Sequence, residues 1–175
     1  MQASSVLDWD SGKSRYDASR QSRVSRNLGE YELLLKTRIA ETVPAVRLEL
    51  ALPEFILDKV ELELAAHSEG DHFHGHVDTV HENGAGRIMS AVYYFFAEPK
   101  RFSGGELRLM GWWRGDVNGK FQRPHQYITP ENDLLCIFPS WAVHEVMPVV
   151  CPSGEFADSR FSVNCWLWRP LPIES

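Results

Sequence analysis

From residue 57 onward the chain is a succession of short β-rich runs, "VELELAAH", "RIMSAVYYFF", "GELRLM", "DLLCIFP" and "RFSVNCWLW", cut apart by Gly, Pro, Asn and Asp. β-Branched and aromatic side chains suit a pleated surface, and the turn formers between the runs end each strand. Many short strands of this kind close into a sandwich or barrel with any helices packed outside. The fold class expected is therefore mainly β with flanking α-helices.

The stretch ahead of the strands has a different period. Leu28, Tyr31, Leu34, Leu35, Ile39 and Val43 recur at helical spacing. Pro44 lacks an amide hydrogen and crowds the preceding turn, so the helix is expected to break there. A second, shorter helix is expected over residues 46–52. Residues 28–56 are thus read as helices buttressing a β-barrel core over residues 57–170. Residues 1–27 are rich in Ser, Arg and Asp without periodicity and read as irregular or weakly ordered, with a flap over the rest as the alternative. Arg15, Arg20, Arg23 and Arg26 in that segment are expected in a solvated tail rather than at a gate or an acidic-group site. Residues 111–124, "GWWRGDVNGKFQRP", read as a loop or hairpin excursion with Trp112 and Trp113 exposed.

Composition narrows the function classes. At 175 residues the chain has the size of one domain. Its 18 basic against 24 acidic residues, a net charge of −6, disfavour a nucleic-acid or anionic-membrane partner. No apolar run approaches the ~20 residues of a membrane helix, and the N-terminus has no apolar secretory core. Cys136, Cys151 and Cys165 are odd in number and scattered without CxxC pairing. That argues against a disulfide framework or a cysteine zinc site and for a reducing cytoplasm.

Residues 71–78 read "DHFHGHVD". Residues two apart on a strand share a face, so His76 and Asp78 can point inward together. His144, in "FPSWAVHEVMPV", is the best candidate for a third donor. Two imidazoles and one carboxylate on one side of an octahedral cation leave the other side open, the arrangement of non-haem Fe(II) oxygenases. By the same alternation His72 and His74 share the face of His76, as rival ligands, outer hydrogen-bonding partners or solvated residues. His67, His81 and His125 read as ordinary polar residues. An open Fe(II) site that activates dioxygen needs two further electrons, which a 2-oxo acid can supply. Its far carboxylate then needs a buried arginine. Arg160 opens the last run, in which Arg160, Ser162, Asn164 and Trp166 alternate with Phe161, Val163, Cys165 and Leu167. One face is polar and aromatic like a pocket wall, the other plainly apolar.

The segments "HSEGDHFHGHVD", "RIMSAVYYFF", "FSGGELRL", "DLLCIFPSWAVHEVMPV" and "RFSVNCWLW", in that order over most of residues 67–168, resemble the Fe(II)- and 2-oxoglutarate-dependent dioxygenases, in particular their prolyl 4-hydroxylase-like branch. The resemblance implies a double-stranded β-helix, the jelly-roll barrel also used by cupins. It implies His76, Asp78 and His144 as iron ligands, Arg160 on the distal carboxylate of 2-oxoglutarate, Tyr94 assisting it, and Trp166 beside the cosubstrate. It associates the chain with Fe(II), 2-oxoglutarate, O2 and L-ascorbic acid. The Asp78 carboxylate favours hydroxylation over halogenation, whose enzymes lack that ligand. Two departures stand out. His67 occupies a position where family members often have Tyr, so the resemblance implies a hydrogen bond to the cosubstrate that is either absent or made by the imidazole, and the spacing from His144 to Arg160 is longer than usual. The second leaves Arg169 as an alternative anchor, although alternation favours Arg160.

The substrate is expected to be a prolyl residue, an amino acid or a small natural-product intermediate. Trp112, Trp113, Trp141, Trp168, Phe95 and Phe96 offer aromatic surface for an entrance, but core packing is the expectation for each. Two other readings use the same triad: a zinc-dependent hydrolase on a cupin-like barrel, and a non-catalytic metal- or ligand-binding domain. The hydrolase reading gives Arg160 and Tyr94 no reason to face the metal.

Overall fold

A computed structural model describes residues 1–4, 6–7, 14–15, 19–82, 85–111, 114–115, 121–122 and 124–171. Eight strands build a barrel: β1 (Lys59–His67), β2 (His72–His76), β3 (Ala85–Phe95), β4 (Leu107–Met110), β5 (His125–Ile128), β6 (Leu134–Pro139), β7 (Val143–Val146) and β8 (Arg160–Pro170). The larger sheet runs β1-β8-β3-β6 and the smaller β5-β4-β7-β2. Pairing within both is antiparallel. The chain crosses repeatedly from one sheet to the other, which is the double-stranded β-helix. Facing sheets of this kind enclose an interior lined by alternate residues of every strand.

Along β8, Val163, Cys165 and Leu167 point outward and are buried with Leu62, Ile88 and Met89 under a helix, α1 (Tyr31–Glu49). Arg160, Asn164 and Trp166 line the interior cavity instead.

The helical region differs from expectation. It is one helix that runs through Pro44 rather than two separated by it. An interior proline costs about 3 kcal/mol through a lost hydrogen bond and a clash with the preceding turn. Ile39 and Val43 lie within five residues of it, one turn apart, and both are buried against the sheet. Burial of two such side chains stabilises by roughly 1.5–3 kcal/mol each, enough to offset the proline. Tyr31 and Leu34, part of the expected apolar stripe, are instead exposed.

Residues 1–27 also depart from the irregular tail expected of them. Arg20–Gln21 pairs with β2 and so extends the smaller sheet. Arg23–Ser25 pairs with β1 and Gln2–Ala3 with Arg23–Ser25, extending the larger one. The N-terminal segment thereby straps the two sheets together at one mouth of the barrel. In the 111–124 excursion, Arg114–Gly115 pairs with Phe121–Gln122 as a hairpin, while Trp112 and Trp113 lie outside the described residues.

Candidate metal centre

The pairing of β7 with β2 sets the site. His144 stands opposite His76, but Val146 stands opposite Phe73, so β2 carries one more residue than β7 over that interval. This β-bulge re-aims the side chains. Phe73 and His76 both line the cavity, their rings stacked at 3.6 Å between centroids. His74 is exposed and His72 only half-buried, and their rings meet edge to face at 4.6 Å away from the triad. Simple alternation, which put His72 and His74 on the face of His76, fails at the bulge.

Asp78 follows β2, its backbone N–H donating to the Ser140 carbonyl at 2.8 Å. One donor atom each from His76, Asp78 and His144 lie within 4.8 Å of one another. His76 Nε2 is 3.7 Å from Asp78 Oδ1 and His144 Nε2 is 3.5 Å from Oδ2. The backbone fixes which ring nitrogens face inward. His76 Nδ1 lies 2.8 Å from the His74 carbonyl and His144 Nδ1 lies 2.9 Å from that of Ala142. A carbonyl only accepts, so each Nδ1 carries the proton and each Nε2 lone pair is left for a cation.

The electrostatics keep these groups ready to coordinate. Burial and then the neighbouring His144 push His76 down to about 4. Burial of Asp78 favours its neutral form, but His144, His76 and hydrogen bonds from Ser90 and Trp166 outweigh it and hold the carboxyl below the usual range. Ser90 Oγ donates to Asp78 Oδ2 at 2.7 Å. At neutral pH His76 is thus a neutral imidazole and Asp78 a carboxylate, the forms in which each binds a divalent cation.

Arg160 faces the same cavity, whose volume is about 40 Å³. It is 1% exposed, and its contacts are neutral: Nε donates to the Gly105 carbonyl at 2.7 Å, while Nη1 lies 3.3 Å from His67 Nδ1 and 3.5 Å from Ser162 Oγ. Among the described residues no carboxylate forms an ion pair with it, and burial lowers its pKa. Tyr94 and the charge of Glu106 offset part of that burial, and an anionic ligand would offset more of it. The Tyr94 ring lies 4.8 Å from the guanidinium carbon, and its buried hydroxyl makes no well-formed hydrogen bond but lies near enough to Arg160 to favour the charged guanidinium. Nε2 of His67 is likewise buried and unpartnered. Buried orphans of this kind beside a guanidinium fit an oxygen-rich anion.

The "SGGEL" stretch earns its glycines here. Gly105 has φ +68°, and a Cβ on it would sit 2.5 Å from Arg160 Cδ and 2.8 Å from Val149 Cγ2. Only glycine lets this backbone lie against the arginine stem.

Other expectations resolve as follows. Trp166 lines the cavity and hydrogen-bonds Asp78. Arg169 is half-buried at the opposite end of β8 and does not line the cavity, whereas Arg160 does. His81 and His125 are exposed, but His67 is 2% exposed and belongs to the pocket rather than to the ordinary polar set. Trp168 is core, Trp141 is 43% exposed, and Phe95 is half-buried, stacked on Phe161. Arg20 is no solvated residue. It is buried, lines the cavity, lies over the Phe73 ring at 5.0 Å and pairs with buried Glu63 at 2.5 Å. That partner, 43 residues away, left no local signal in the sequence.

Comparison with known proteins adds three findings. A sequence profile described as the 2OG-Fe(II) oxygenase superfamily matches residues 62–168. An uncharacterized PKHD-type hydroxylase of Synechocystis sp. is 41% identical over 154 residues, which is 87% of this chain and 51% of that protein. The chain therefore spans about half the length of this curated relative. Among solved structures, a Pseudomonas putida prolyl-4-hydroxylase superposes with a TM-score of 0.56 at 22% identity, over 86% of this chain and 73% of its own. A Trichoplax adhaerens prolyl hydroxylase, solved with a peptide fragment of the hypoxia inducible factor oxygen degradation domain, gives 0.61 at 17% identity, over 95% and 70%. At these identities the solved structures speak for the fold.

Proposed function

Because the chain belongs to the 2OG-Fe(II) oxygenase superfamily, whose reactants are Fe(II), 2-oxoglutarate and O2, we propose that it hydroxylates an unactivated C–H bond, with His76, Asp78 and His144 holding the iron and Arg160 the distal carboxylate of 2-oxoglutarate. The observation that carries this reading is Arg160 itself: a buried guanidinium without a carboxylate partner, in the same cavity as the triad. A zinc hydrolase would use a similar donor set but has no use for that cation.

Bound iron would activate dioxygen, the oxidant, while 2-oxoglutarate would supply two electrons and leave as succinate and CO2, one oxygen atom entering succinate and the other the substrate. The protein's share is placement and exclusion. Arg160 is held rigid by the Gly105 carbonyl and packed beside Tyr94, so a diacid is gripped at one end while its 2-oxo acid end meets the triad. Ser90 and Trp166 keep the Asp78 carboxylate aimed inward. Phe73, Val92 and Leu107 line the cavity with apolar surface that limits water.

For the substrate we favour a prolyl residue in a peptide; the two neighbours that share this fold are prolyl hydroxylases, one solved with a peptide fragment. The three free cysteines suit a reducing cytoplasm, and no described helix is long and apolar enough to cross a membrane. The test is anaerobic addition of Fe(II) and 2-oxoglutarate, which should give a weak visible charge-transfer band that is absent in His76→Ala. Succinate release in air should accompany it, rising with a prolyl peptide. Activity supported by zinc without 2-oxoglutarate binding refutes the reading.

A further inference from the structure

Helix α1 has two apolar sides, and this chain covers one of them. Ile39 and Val43 are buried against the larger sheet, with Leu35 and Val46 packed beside them. A different set recurs at alternating steps of three and four residues: Tyr31, Leu34, Arg38, Glu41, Ala45 and Leu48. That spacing lines all six along one stripe of the helix, and every one of them is exposed. Tyr31, Leu34 and Leu48 are 62%, 53% and 67% exposed, and Leu33 on the flank is 74% exposed. Among the described residues, no other element carries as many exposed large apolar side chains. A surface helix is ordinarily apolar toward the core and polar outward. A second apolar stripe therefore marks a face that a partner covers.

The order of residues along the stripe specifies the partner. In either direction it runs apolar, apolar, charged, charged, apolar, apolar, and the two charges are opposite in sign. Two copies of α1 laid antiparallel about a twofold axis midway along the stripe match throughout. Tyr31 then meets Leu48, Leu34 meets the small Ala45, and Arg38 meets Glu41, each contact occurring twice. Within one chain Arg38 Nη1 lies 3.1 Å from Glu41 Oε2, and both side chains are more than half exposed. The antiparallel match thus brings two such pairs together as a ring of alternating charge. A parallel match would set Arg38 on Arg38 and Glu41 on Glu41, so the same residues exclude it.

The placement of α1 leaves this face free for use. Val163, Cys165 and Leu167 of β8 pack under the helix, whereas Arg160, Asn164 and Trp166 of the same strand line the cavity. The larger sheet thus separates the helix from the cavity, which stays open when a second molecule docks on α1.

We propose that this chain forms a homodimer through α1, the two helices pairing antiparallel along the stripe from Tyr31 to Leu48. One helix pair is a small contact, so the dimer is weak and reversible.

Sedimentation equilibrium of the full chain over about 1–500 µM tests this. The wild type should pass from one chain per particle to two across that range, and a monomer throughout overturns the proposal. Arg38→Glu and Glu41→Arg each place like charges opposite one another twice per dimer, and each should weaken association at least about tenfold. The double variant Arg38→Glu/Glu41→Arg rebuilds both pairs with their signs exchanged and should dimerise near the wild-type level. That recovery is particular to a second copy of this chain, since a different protein on this face would not exchange its own charges to match. A double variant as weak as the single ones, or single variants as strong as the wild type, overturns the proposal. Leu48→Glu leaves the Arg38–Glu41 pair intact and puts an unpaired charge into the contact. It too should abolish the dimer, and wild-type association in that variant overturns the proposal. Circular dichroism at low concentration should show every variant folded, because all three side chains stand in water.

Discussion

Gly105→Ala tests whether the backbone beside Arg160 is shaped for that arginine. Gly105 sits at φ +68°, and its amide and carbonyl are both engaged, with Pro148 O at 3.1 Å and Arg160 Nε at 2.7 Å, so the turn cannot simply re-form elsewhere. A side chain in the left-handed region costs about 1–2 kcal/mol. The new methyl would lie 2.5 Å from Arg160 Cδ and 2.8 Å from Val149 Cγ2, and both residues are 1% exposed. Neither can move into solvent, so overpacking adds about 1–3 kcal/mol. A total of about 2–5 kcal/mol lowers the thermal midpoint of a chain this size by roughly 4–20 °C, measurable by circular dichroism. The arginine is the flexible member of the clash, so it should yield, and 2-oxoglutarate affinity in the Mn(II)-loaded chain should fall at least about tenfold. Gly104→Ala is the control. It has φ +70° and would strike the Pro148 carbonyl, but none of its nearest contacts is Arg160. It should lose stability and keep its affinity below its own melting range. Equal affinity losses in the two variants, or full affinity in Gly105→Ala, would refute the reasoning.

Arg20→Leu should destabilise by about 3 kcal/mol in urea unfolding, because Glu63 would remain buried with only the 81%-exposed Arg26 nearby at 3.5 Å. The double variant Arg20→Leu/Glu63→Leu should recover most of that loss, and a single-variant cost below about 1 kcal/mol would show that the pair does not strap the sheets. Ser90→Ala removes the hydrogen bond to Asp78 Oδ2 and should weaken Mn(II) binding about 10- to 100-fold with little change in stability; unchanged binding by electron paramagnetic resonance would deny Ser90 a positioning role. For the metal-free chain, His76 is held at about 4 when folded against an ordinary 6.5. Its depressed value means that it contributes stability fully above pH 6.5, and that this share is lost as pH falls toward 4. The loss between pH 7 and 5 should be about 2 kcal/mol, with buried His67 adding in the same direction. A flat urea midpoint over that window would contradict the burial argument.

What could be read from the chain and what could not divides on physical grounds. The alternation from Arg160 to Leu167 is carried by neighbouring residues, so a single strand reveals both of its faces. The convergence of residues 76, 78 and 144 was legible for a related reason, since the spacing within "HVD" and the strand-like setting of His144 are local. The bulge in β2 was not, because it is a property of two strands. It appears only once Val146 is known to face Phe73 while His144 faces His76. The N-terminal strands are two or three residues long, shorter than any period, and exist because sheet edges were there to receive them. His67 was marked only by the resemblance, as standing where Tyr is usual, because its partner Arg160 is 93 residues away. Pro44 misled because its local penalty is real but smaller than the burial of Ile39 and Val43 just ahead of it.

The interior charges suggest how the proposed ligands would depend on one another. Arg20 and Glu63 already cancel. That leaves the Asp78 carboxylate at the triad and the Arg160 guanidinium across the cavity, each desolvated and neither in contact with the other's charge. A divalent cation alone would leave the triad positive, and a dicarboxylate alone would set two negative charges in a cavity with one free guanidinium. Together the four species sum to zero, with each charge beside an opposite one, the condition under which buried ions cease to be a penalty. Metal and 2-oxoglutarate should therefore each raise the affinity for the other, by the same factor in either order of addition. The triad donors His76 and His144 lie on the smaller sheet, and Arg160, His67 and Tyr94 on the larger. A ligand reaching between them would tie the sheets together, so saturation should also resist unfolding, by about 2.7 kcal/mol at a hundredfold excess over Kd.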